Sequence, residues 1–330
     1  MEEIIVTGAT GFIGRRLIKE LLKHYPVNKI LCLIKDNIAD NYELELSGRK
    51  ILKDLNIKTR EIDLVSGKGL DNLPVNPKII FHLGASTESG AKDHSCNDIG
   101  TKNLLNAFPG INNETKFIFT SSAAVYSGRK DTGKPIDHET KPSPSNEYGR
   151  SKLRAEEILK EAALNPGLKV TVLRLNTVWG EGSRKNGLFD KLEKLINDNS
   201  IISRLNWPGR TGLLNVYDAA QIITFFSTAS IKNNFNVYNV AHESLTLSQI
   251  SEILYEKTGR KYLPVILPDI FWNVSKSLIR KSSYFENVLP AGIYNNFWRL
   301  NIILNDSLFS KSDEILELVP DLKIDMKRFE

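Results

Sequence analysis

The chain has 330 residues, 41% of them apolar and 25% charged, with a net charge of +5 at pH 7, which is ordinary for a globular protein of one large or two coupled domains. The basic residues are spread out, no apolar run reaches the roughly 18 residues of a membrane span, and the five histidines lack paired spacing, so we expect no nucleic-acid, membrane or metal site. Two lone cysteines, Cys32 and Cys96, and a first strand at Ile4 that leaves no room for a targeting segment favour the cytoplasm.

A glycine-rich turn opens the chain. Residues 7–14, Thr-Gly-Ala-Thr-Gly-Phe-Ile-Gly, follow a short apolar run and lead into a segment whose leucines repeat at helical spacing. Gly8 permits a tight turn, Gly11 lets a pyrophosphate approach the backbone, and Gly14 allows close packing of helix and strand. The start of the helix offers unpaired N–H groups to phosphates, so this stretch predicts a dinucleotide site.

Apolar runs and helical patterns alternate along the first 180 residues. Strands are predicted at residues 29–34, 59–64, 78–83, 116–120 and 170–175, and helices at residues 15–23, 97–108 and 147–164. Residues 38–56 are polar with scattered leucines, which indicates helix and loop. This alternation predicts a parallel, doubly wound sheet.

Beyond Gly180 the alternation weakens. Helices are predicted at residues 187–198, 215–228 and 246–259, the second of them opened by a short strand, and a further strand is predicted at residues 235–240. We therefore predict an α/β, Rossmann-type fold with a smaller C-terminal substrate-binding lobe. The cofactor domain is expected at residues 1–180 plus about 213–240, and the lobe at about 181–212 and 241–330.

Three side chains form a candidate catalytic set. Tyr148 and Lys152 are four residues apart, so a helix places both on one face. A free tyrosine titrates near 10, and a neighbouring ammonium favours the phenolate, which brings Tyr148 towards useful acid–base chemistry. Ser122 follows a predicted strand at the sheet edge where ligands bind, and its hydroxyl can hold the reacting oxygen. The set suits hydride transfer between a nicotinamide and an alcohol carbon.

With the glycine turn, Ser122, Tyr148 and Lys152 in this order, the chain resembles the extended short-chain dehydrogenase/reductases of the NAD-dependent epimerase/dehydratase family over roughly residues 3–260. Further family motifs are matched at residues 63–64, 82–85, 97–101, 120–126 and 173–175. The resemblance implies that Ser122 positions the carbonyl, that Tyr148 is the acid/base, and that Lys152 lowers its pKa and binds the nicotinamide ribose. It also implies a homodimer that pairs the helices near residues 98–108 and 148–164.

Most of the expected cofactor-binding residues come from these motifs, and two more are basic residues, one after the glycine turn and one at the end of the second strand. They are Gly8, Thr10, Gly11, Phe12, Ile13, Gly14, Arg15, Lys35, Asp63, Leu64, Leu83, Gly84, Ala85, Asn97, Thr120, Tyr148, Lys152 and Leu175.

The chain also departs from the family pattern. Thr177 stands where nucleotide-sugar enzymes usually have Asn, and Thr211 stands where they have an Arg that grips the diphosphate. Arg210 is adjacent, but a shift of one residue on a strand reverses the face of its side chain. The family's dehydratases carry an Asp-Glu pair where this chain has Ala123 and Ala124, so 4,6-dehydration is not expected.

The end of the second strand bears on cofactor choice. Lys35 comes first and suits a 2′-phosphate, to which Arg15 or Arg16 can add, so NADP is expected. The alternative is that Asp36 binds the ribose diol, which is typical of NAD enzymes.

Three functions remain open for a small-molecule substrate. The first is an NAD(P)-dependent oxidoreductase that acts on a secondary alcohol or ketone. The second is a nucleotide-sugar epimerase that oxidises and re-reduces its substrate with tightly bound NAD. The third is a non-catalytic cofactor-binding protein, which the intact Ser122, Tyr148 and Lys152 disfavour.

Overall fold

A seven-stranded parallel sheet is the centre of the molecule. The computed structural model describes residues 3–37, 42–87, 93–130, 133–137, 139–164, 167–183, 187–280, 299–306, 308–310 and 313–319. The sheet strands are β1 (Ile4–Thr7), β2 (Ile30–Lys35), β3 (Lys58–Ile62), β4 (Ile79–His82), β5 (Lys116–Ser122), β6 (Lys169–Leu175) and, after two strands of another sheet, β9 (Phe235–Val240). Their order is β3-β2-β1-β4-β5-β6-β9, and every neighbouring pair is parallel.

A second, three-stranded sheet lies beside the first. Its strands are β7 (Thr177–Trp179), β8 (Arg210–Asn215) and β10 (Glu243–Thr246), in the order β10-β8-β7. The helices are α1 (Gly14–Leu21), α2 (Tyr42–Asp54), α3 (Ser95–Asn106), α4 (Glu147–Leu164), α5 (Leu188–Asn197), α6 (Val216–Thr228), α7 (Leu247–Lys257), α8 (Asp269–Arg280) and α9 (Asp313–Leu318), and residues 299–305 are also helical. Within the described ranges, no helix has the length and apolar character needed to cross a membrane.

Both faces of the large sheet are buried, which explains why its strands read as continuous apolar runs. Ile4 and Val6 of β1 belong to the core under α1 and α6, whereas Ile5 between them belongs to the opposite core under α3 and α4. The predicted doubly wound sheet is therefore confirmed. Its strand order reverses direction between β1 and β4, and the carboxyl ends of strands at such a switch point form a ligand-binding crevice.

The second sheet is where sequence analysis was incomplete. The helix predicted from residue 215 is preceded by β8, which pairs with β7 in parallel and with β10 in the antiparallel direction. Trp179, Phe189 and Leu213 lie in its apolar core together with residues of α5 and α7. The C-terminal part of the chain adds a crossing segment, in which Leu308 bridges to Thr211.

Candidate active site

The glycine turn is shaped by close backbone contacts. Gly8 has a φ of +70°, and a Cβ there would lie 2.7 Å from the backbone of Leu83 and Gly84. A Cβ on Gly14 would lie 2.1 Å from the Gly8 carbonyl oxygen. Both positions need glycine, because neither backbone can give way. Gly48 of α2, which the sequence did not single out, likewise packs against the backbone of Thr10, where a Cβ would come within 2.3 Å of the carbonyl oxygen.

The N-terminus of α1 suits an anion. Its N-cap residue is Ile13, and within the described chain no side chain caps the first turn. The backbone N–H groups of an uncapped turn point outward and carry partial positive charge. Gly11, Phe12 and Ile13 are all partly exposed beside this turn. The cradle therefore fits the pyrophosphate of a dinucleotide.

A buried hydrogen-bond chain connects the glycine turn to β4 and α3. The Thr101 hydroxyl donates to the Asn97 carbonyl (2.6 Å), so it accepts from Nε2 of His82 (2.9 Å). Nδ1 of His82 then accepts from the Thr7 hydroxyl (2.7 Å), whose oxygen accepts the Gly84 N–H (2.9 Å). Burial lowers the pKa of His82 to about 3, so the ring is neutral and fixed as one tautomer. This chain orients the backbone of Gly84, one of the expected cofactor residues.

Asn97 is fully buried and joins the loop after β4 to the helix that carries the candidate acid/base. Its Oδ1 accepts from the Ser86 N–H (2.9 Å), and its Nδ2 donates to the Ser86 carbonyl (3.1 Å) and to the Ser151 hydroxyl (2.9 Å). Ser151 in turn donates to the Tyr148 carbonyl (2.9 Å). The side chain of Asn97 thus acts on the site through Ser86 and Ser151, and sequence analysis did not identify either serine.

Ser122 and Tyr148 line the same cavity, which has a volume of about 350 Å³. Ser122 ends β5, and its Oγ accepts from the Ala124 N–H (3.1 Å), which leaves its hydroxyl proton to donate. Tyr148 is the second residue of α4 and is half-buried. Phe12 of the glycine turn and Leu175 at the end of β6 line the same space. The structure therefore brings four of the predicted site residues together at the carboxyl ends of the strands.

Lys152 lies one helical turn further along α4 and is 2% exposed. Its Nζ donates to the Thr120 carbonyl (2.9 Å) and lies 4.6 Å from the centroid of the Phe119 ring. Burial lowers the pKa of Lys152 to about 8, against the opposing influence of Cys96 and Glu156. A buried ammonium at this position supplies positive charge behind the cavity wall that holds Tyr148.

A second buried network lies beside Lys152. Glu156 and Arg174 form an ion pair (2.5 Å), and the Ser121 hydroxyl donates to Glu156 (2.5 Å). Arg174 also donates to the hydroxyl of Tyr126, which in turn donates to Asn239 (3.0 Å). This network connects α4, β5, β6 and β9 directly behind the sheet edge that carries the candidate residues Ser122, Tyr148 and Lys152, which we call the catalytic edge. Sequence analysis noted Arg174 as a motif residue but assigned no partner to it.

The far end of the cofactor crevice holds the residues predicted to contact adenosine. Lys35 is exposed at the end of β2, and the carboxylate of Asp36 accepts from Lys68 (3.0 Å). Asp63 accepts from Ser66 (2.7 Å) and from the N–H of residue 65 (2.9 Å), and these bonds lower its pKa. Leu64 is buried against Gly84 and Gly100, where added Cβ atoms would lie 3.2 and 3.0 Å from its side chain.

The two arginines after the glycine turn have different surroundings. Arg15 is buried and donates to the Ser47 hydroxyl of α2 (3.1 Å), and burial lowers its pKa. Arg16 donates to the carbonyls of Phe12 (3.2 Å) and Glu181, and it stacks on the Phe12 ring at 5.0 Å. Arg15 therefore packs against α2, whereas Arg16 ties the glycine turn to the loop after β7.

Two positions that depart from the family pattern, Thr177 and Thr211, lie on β7 and β8 together with the adjacent Arg210. The hydroxyls of Thr177 and Thr211 are 3.4 Å apart, and Thr177 lines the cavity. Arg210 faces away from this pair, as strand alternation predicts. It forms an ion pair with Asp306 (3.2 Å) and stacks on the Phe309 ring at 3.7 Å. The Arg210 guanidinium thus binds the C-terminal segment.

Comparisons with known proteins agree with this arrangement. The UDP-glucose 4-epimerase of Mycoplasma genitalium is 30% identical over 188 residues, which cover 54% of this chain and 53% of that enzyme. The chain thus spans about half the length of that relative. An uncharacterised protein of Schizosaccharomyces pombe is 25% identical over 364 residues, which cover 94% of this chain and 96% of that protein.

Among solved structures, the UDP-glucuronic acid 4-epimerase from Bacillus cereus, in complex with UDP-glucuronic acid and NAD, superposes with a TM-score of 0.66. The identity is 22%, and the match covers 81% of this chain and 86% of that one, so the likeness concerns the fold. The profile of the NAD dependent epimerase/dehydratase family matches residues 4–241, which include the glycine turn, Ser122, Tyr148 and Lys152. Since this match covers most of the chain and the whole catalytic edge, the chain belongs to the NAD-dependent epimerase/dehydratase family of extended short-chain dehydrogenase/reductases.

Proposed function

We propose that this protein is an NAD(P)-dependent oxidoreductase that transfers hydride at a secondary alcohol or ketone carbon. The observation that carries the proposal is that Ser122 and Tyr148 share one cavity wall, with the Lys152 ammonium one helical turn behind. When bound, a nicotinamide dinucleotide would supply the hydride acceptor or donor. Phe12 and Leu175 of the same cavity would border its nicotinamide end.

Each catalytic side chain has a distinct role in the proton transfer. Ser122 holds the reacting oxygen with its hydroxyl proton, since its oxygen already accepts from the Ala124 N–H. Tyr148 gives its proton to that oxygen in reduction and takes it back in oxidation. The charge on Lys152 favours the phenolate of Tyr148, because an opposite charge nearby stabilises the ionised form.

The cofactor is proposed to be NADP. The uncapped turn of α1 would hold the pyrophosphate, and Lys35 is the exposed cation at the end of β2. Asp36, the residue that would bind a free ribose diol, is paired with Lys68. Fluorescence titration is the direct test, and tighter binding of NADH than of NADPH would contradict this preference.

An epimerase is the second candidate, because the Mycoplasma genitalium relative is a UDP-glucose 4-epimerase. An epimerase of this type retains its cofactor through purification, whereas a reductase consumes added NADPH in step with product. Absorbance of the purified protein at the nicotinamide band, followed by NADPH turnover, separates the two. A non-catalytic cofactor-binding protein would neither consume added NADPH nor convert a nucleotide sugar.

The remaining assignments belong to the same proposal. As in the sequence prediction, residues 1–180 plus about 213–240, with the large sheet and β7, would form the cofactor domain, and residues about 181–212 and 241–330, with α5, β10 and α7, would form the substrate lobe. A homodimer would pair α3 and α4, on which Ile99 and Leu164 are exposed apolar side chains. Sedimentation measures the dimer. The two cysteines are free thiols, which suits the expected cytoplasm.

The decisive test is Tyr148→Phe, which keeps the ring and removes the acid/base. Loss of general acid–base catalysis should lower kcat at least about 100-fold, while cofactor binding stays unchanged. Tyr262→Phe is the matched control, because the Tyr262 hydroxyl contacts Ser248 (2.9 Å) far along the chain from the catalytic edge. Turnover that survives in Tyr148→Phe at the level of the control would refute the mechanism.

A further inference from the structure

Among the described residues, apolar side chains form most of the wall of the cavity beside Ser122 and Tyr148. At about 350 Å³ it is near the lower end of the range of ligand pockets, roughly 300–1,000 Å³. Its apolar side chains come from the glycine turn, the segment after β5, the β6–β7 region, α5 and the C-terminal segment. Phe12 and Leu175 would border the nicotinamide, and the others, which are left for the substrate, are Ala123, Ala124, Val178, Leu188, Phe189 and Leu308.

Two of the polar side chains in the lining, Asn176 and Thr177, are bonded to the protein itself, although the Asn176 side-chain oxygen is buried with no hydrogen-bond partner among the described residues. The amide nitrogen of Asn176 donates to the Val240 carbonyl (3.1 Å) and to the Ser310 hydroxyl (3.3 Å). The hydroxyl of Thr177 pairs with that of Thr211 (3.4 Å). A sugar ring would bring several hydroxyls into this space, and buried polar groups without partners are costly. The wall around the reacting carbon thus favours apolar substituents.

The charge of the cavity lining also favours an uncharged substrate. Among the lining residues that the structure describes, none is charged. Arg210 is the described cation nearest in sequence to the family's diphosphate-binding position, and its guanidinium is paired with Asp306 and stacked on Phe309. A diphosphate is bound tightly by charge-assisted hydrogen bonds from cations, and this part of the wall does not supply them.

The C-terminal crossing segment, residues 308–310, closes one side of the cavity. The Gly212 N–H donates to the Leu308 carbonyl (3.0 Å), and the Ile136 N–H donates to the Phe309 carbonyl (2.7 Å). The Leu308 side chain is buried in a cluster with Ala123 and Ile302. Since the backbone of this segment is bonded at both Leu308 and Phe309, Leu308 is a fixed part of the wall, and its size limits what fits in the cavity beside Ser122.

We infer that the substrate is an uncharged secondary alcohol or ketone with an apolar group on the reacting carbon, and that Leu308 sets the size of that group. This inference rests on the proposed function. In reduction, a bound reduced nicotinamide cofactor would supply hydride to the carbonyl carbon, and Tyr148 would give its proton to the carbonyl oxygen and regain one from water. The ketone is reduced to an alcohol and the cofactor is oxidised.

The first experiment measures NADPH oxidation by the full chain with alkyl and aryl ketones and with the 4-keto form of UDP-glucose, and NADP+ reduction with the matching secondary alcohols, UDP-glucose and UDP-glucuronic acid. NADPH and NADH binding are measured separately by fluorescence. The inference predicts turnover with apolar ketones and kcat/KM for them at least about 10-fold above that for any nucleotide sugar. Turnover confined to nucleotide sugars, or bound cofactor without turnover of any ketone, overturns the inference. Failure to bind either cofactor overturns the proposed function instead.

The second experiment tests the wall. Leu308→Ala should raise kcat/KM for a bulky aryl ketone relative to a small alkyl ketone by about 10-fold, because a few methylene groups are worth that much discrimination. Ile302→Ala is the matched control, since Ile302 lies in the same cluster but does not line the cavity. Leu308→Val repeats the measurement with a smaller loss of packing. An equal ratio of the two ketones in Leu308→Ala, Leu308→Val and Ile302→Ala contradicts the role of Leu308.

Discussion

Glu156→Gln tests how much the buried ion pair behind the catalytic edge contributes to the free energy of unfolding. Glu156 is 3% exposed and Arg174 is 8% exposed, so neither charge is screened by water. Removing one charge of a buried pair costs about 3–5 kcal/mol, because the other charge stays buried without its counter-ion. The amide oxygen of Gln can still accept one hydrogen bond, so we expect the lower end, about 3 kcal/mol.

Urea unfolding followed by circular dichroism measures this loss. With an m value of about 3 kcal/mol/M, a loss of about 3 kcal/mol moves the unfolding midpoint down by about 1 M. Glu157→Gln is the matched control, because Glu157 is the next residue of α4 and is exposed. An exposed substitution of this kind should stay within about 0.5 kcal/mol of the wild type.

The double variant Glu156→Leu with Arg174→Met separates charge from packing. Replacing both members of a buried pair by apolar residues of similar size is often neutral or stabilising. We therefore expect the double variant to recover most of the stability that Glu156→Gln loses. The reasoning is refuted if Glu156→Gln and Glu157→Gln unfold at the same urea concentration, or if the double variant is less stable than Glu156→Gln.

Two further predictions concern buried polar side chains. Asn97→Ala should lower kcat about 10-fold or more through a misplaced Tyr148, because small displacements of catalytic groups cost that much. The control Asn103→Ala should leave kcat unchanged, because it frees only the carbonyls of residues 64 and 65. Equal kcat in the two variants would contradict the role of Asn97. Burial lowers the pKa of His82 to about 3 from 6.5, so the unfolded chain takes up a proton that the folded chain cannot as pH falls below 6.5. Between pH 7 and 5 this costs about 2 kcal/mol of stability, and the His82→Asn variant, compared by urea unfolding at both pH values, should lack that part of the loss.

The sequence was sufficient for features that depend on local order. The glycine turn, the Tyr148–Lys152 spacing and the strand that ends at Ser122 each lie within one short segment, and the structure assembles them as expected. Strand ends were less accurate. The third strand ends at Ile62, because the carboxylate of Asp63 turns the chain by accepting from the residues that follow.

The features that sequence analysis did not identify depend on register between distant segments. Ser121 and Arg174 are partners on neighbouring strands, so the contact of both with Glu156 follows from the pairing of β5 with β6. No spacing along the chain reveals that pairing. The second sheet is a similar case, since β7 has only three residues and pairs with a strand that begins at residue 210. Such short strands lack a readable alternation.

Helix α4 carries the candidate acid/base Tyr148, whereas the wall that would limit the substrate comes from the C-terminal segment. The helix is connected to α3 through Ser151 and to the large sheet through Lys152 and Glu156. All three residues lie within about two turns of Tyr148. The phenol is therefore held by a frame in which each contact is buried, and a frame of this kind suits chemistry that is shared across a family. Leu308 comes from the C-terminal part of the chain and is not part of that frame. Substrate choice can thus change at the C-terminal wall while the acid/base stays in position, which is why the Leu308 variants should alter the ratio between ketones and leave cofactor binding unchanged.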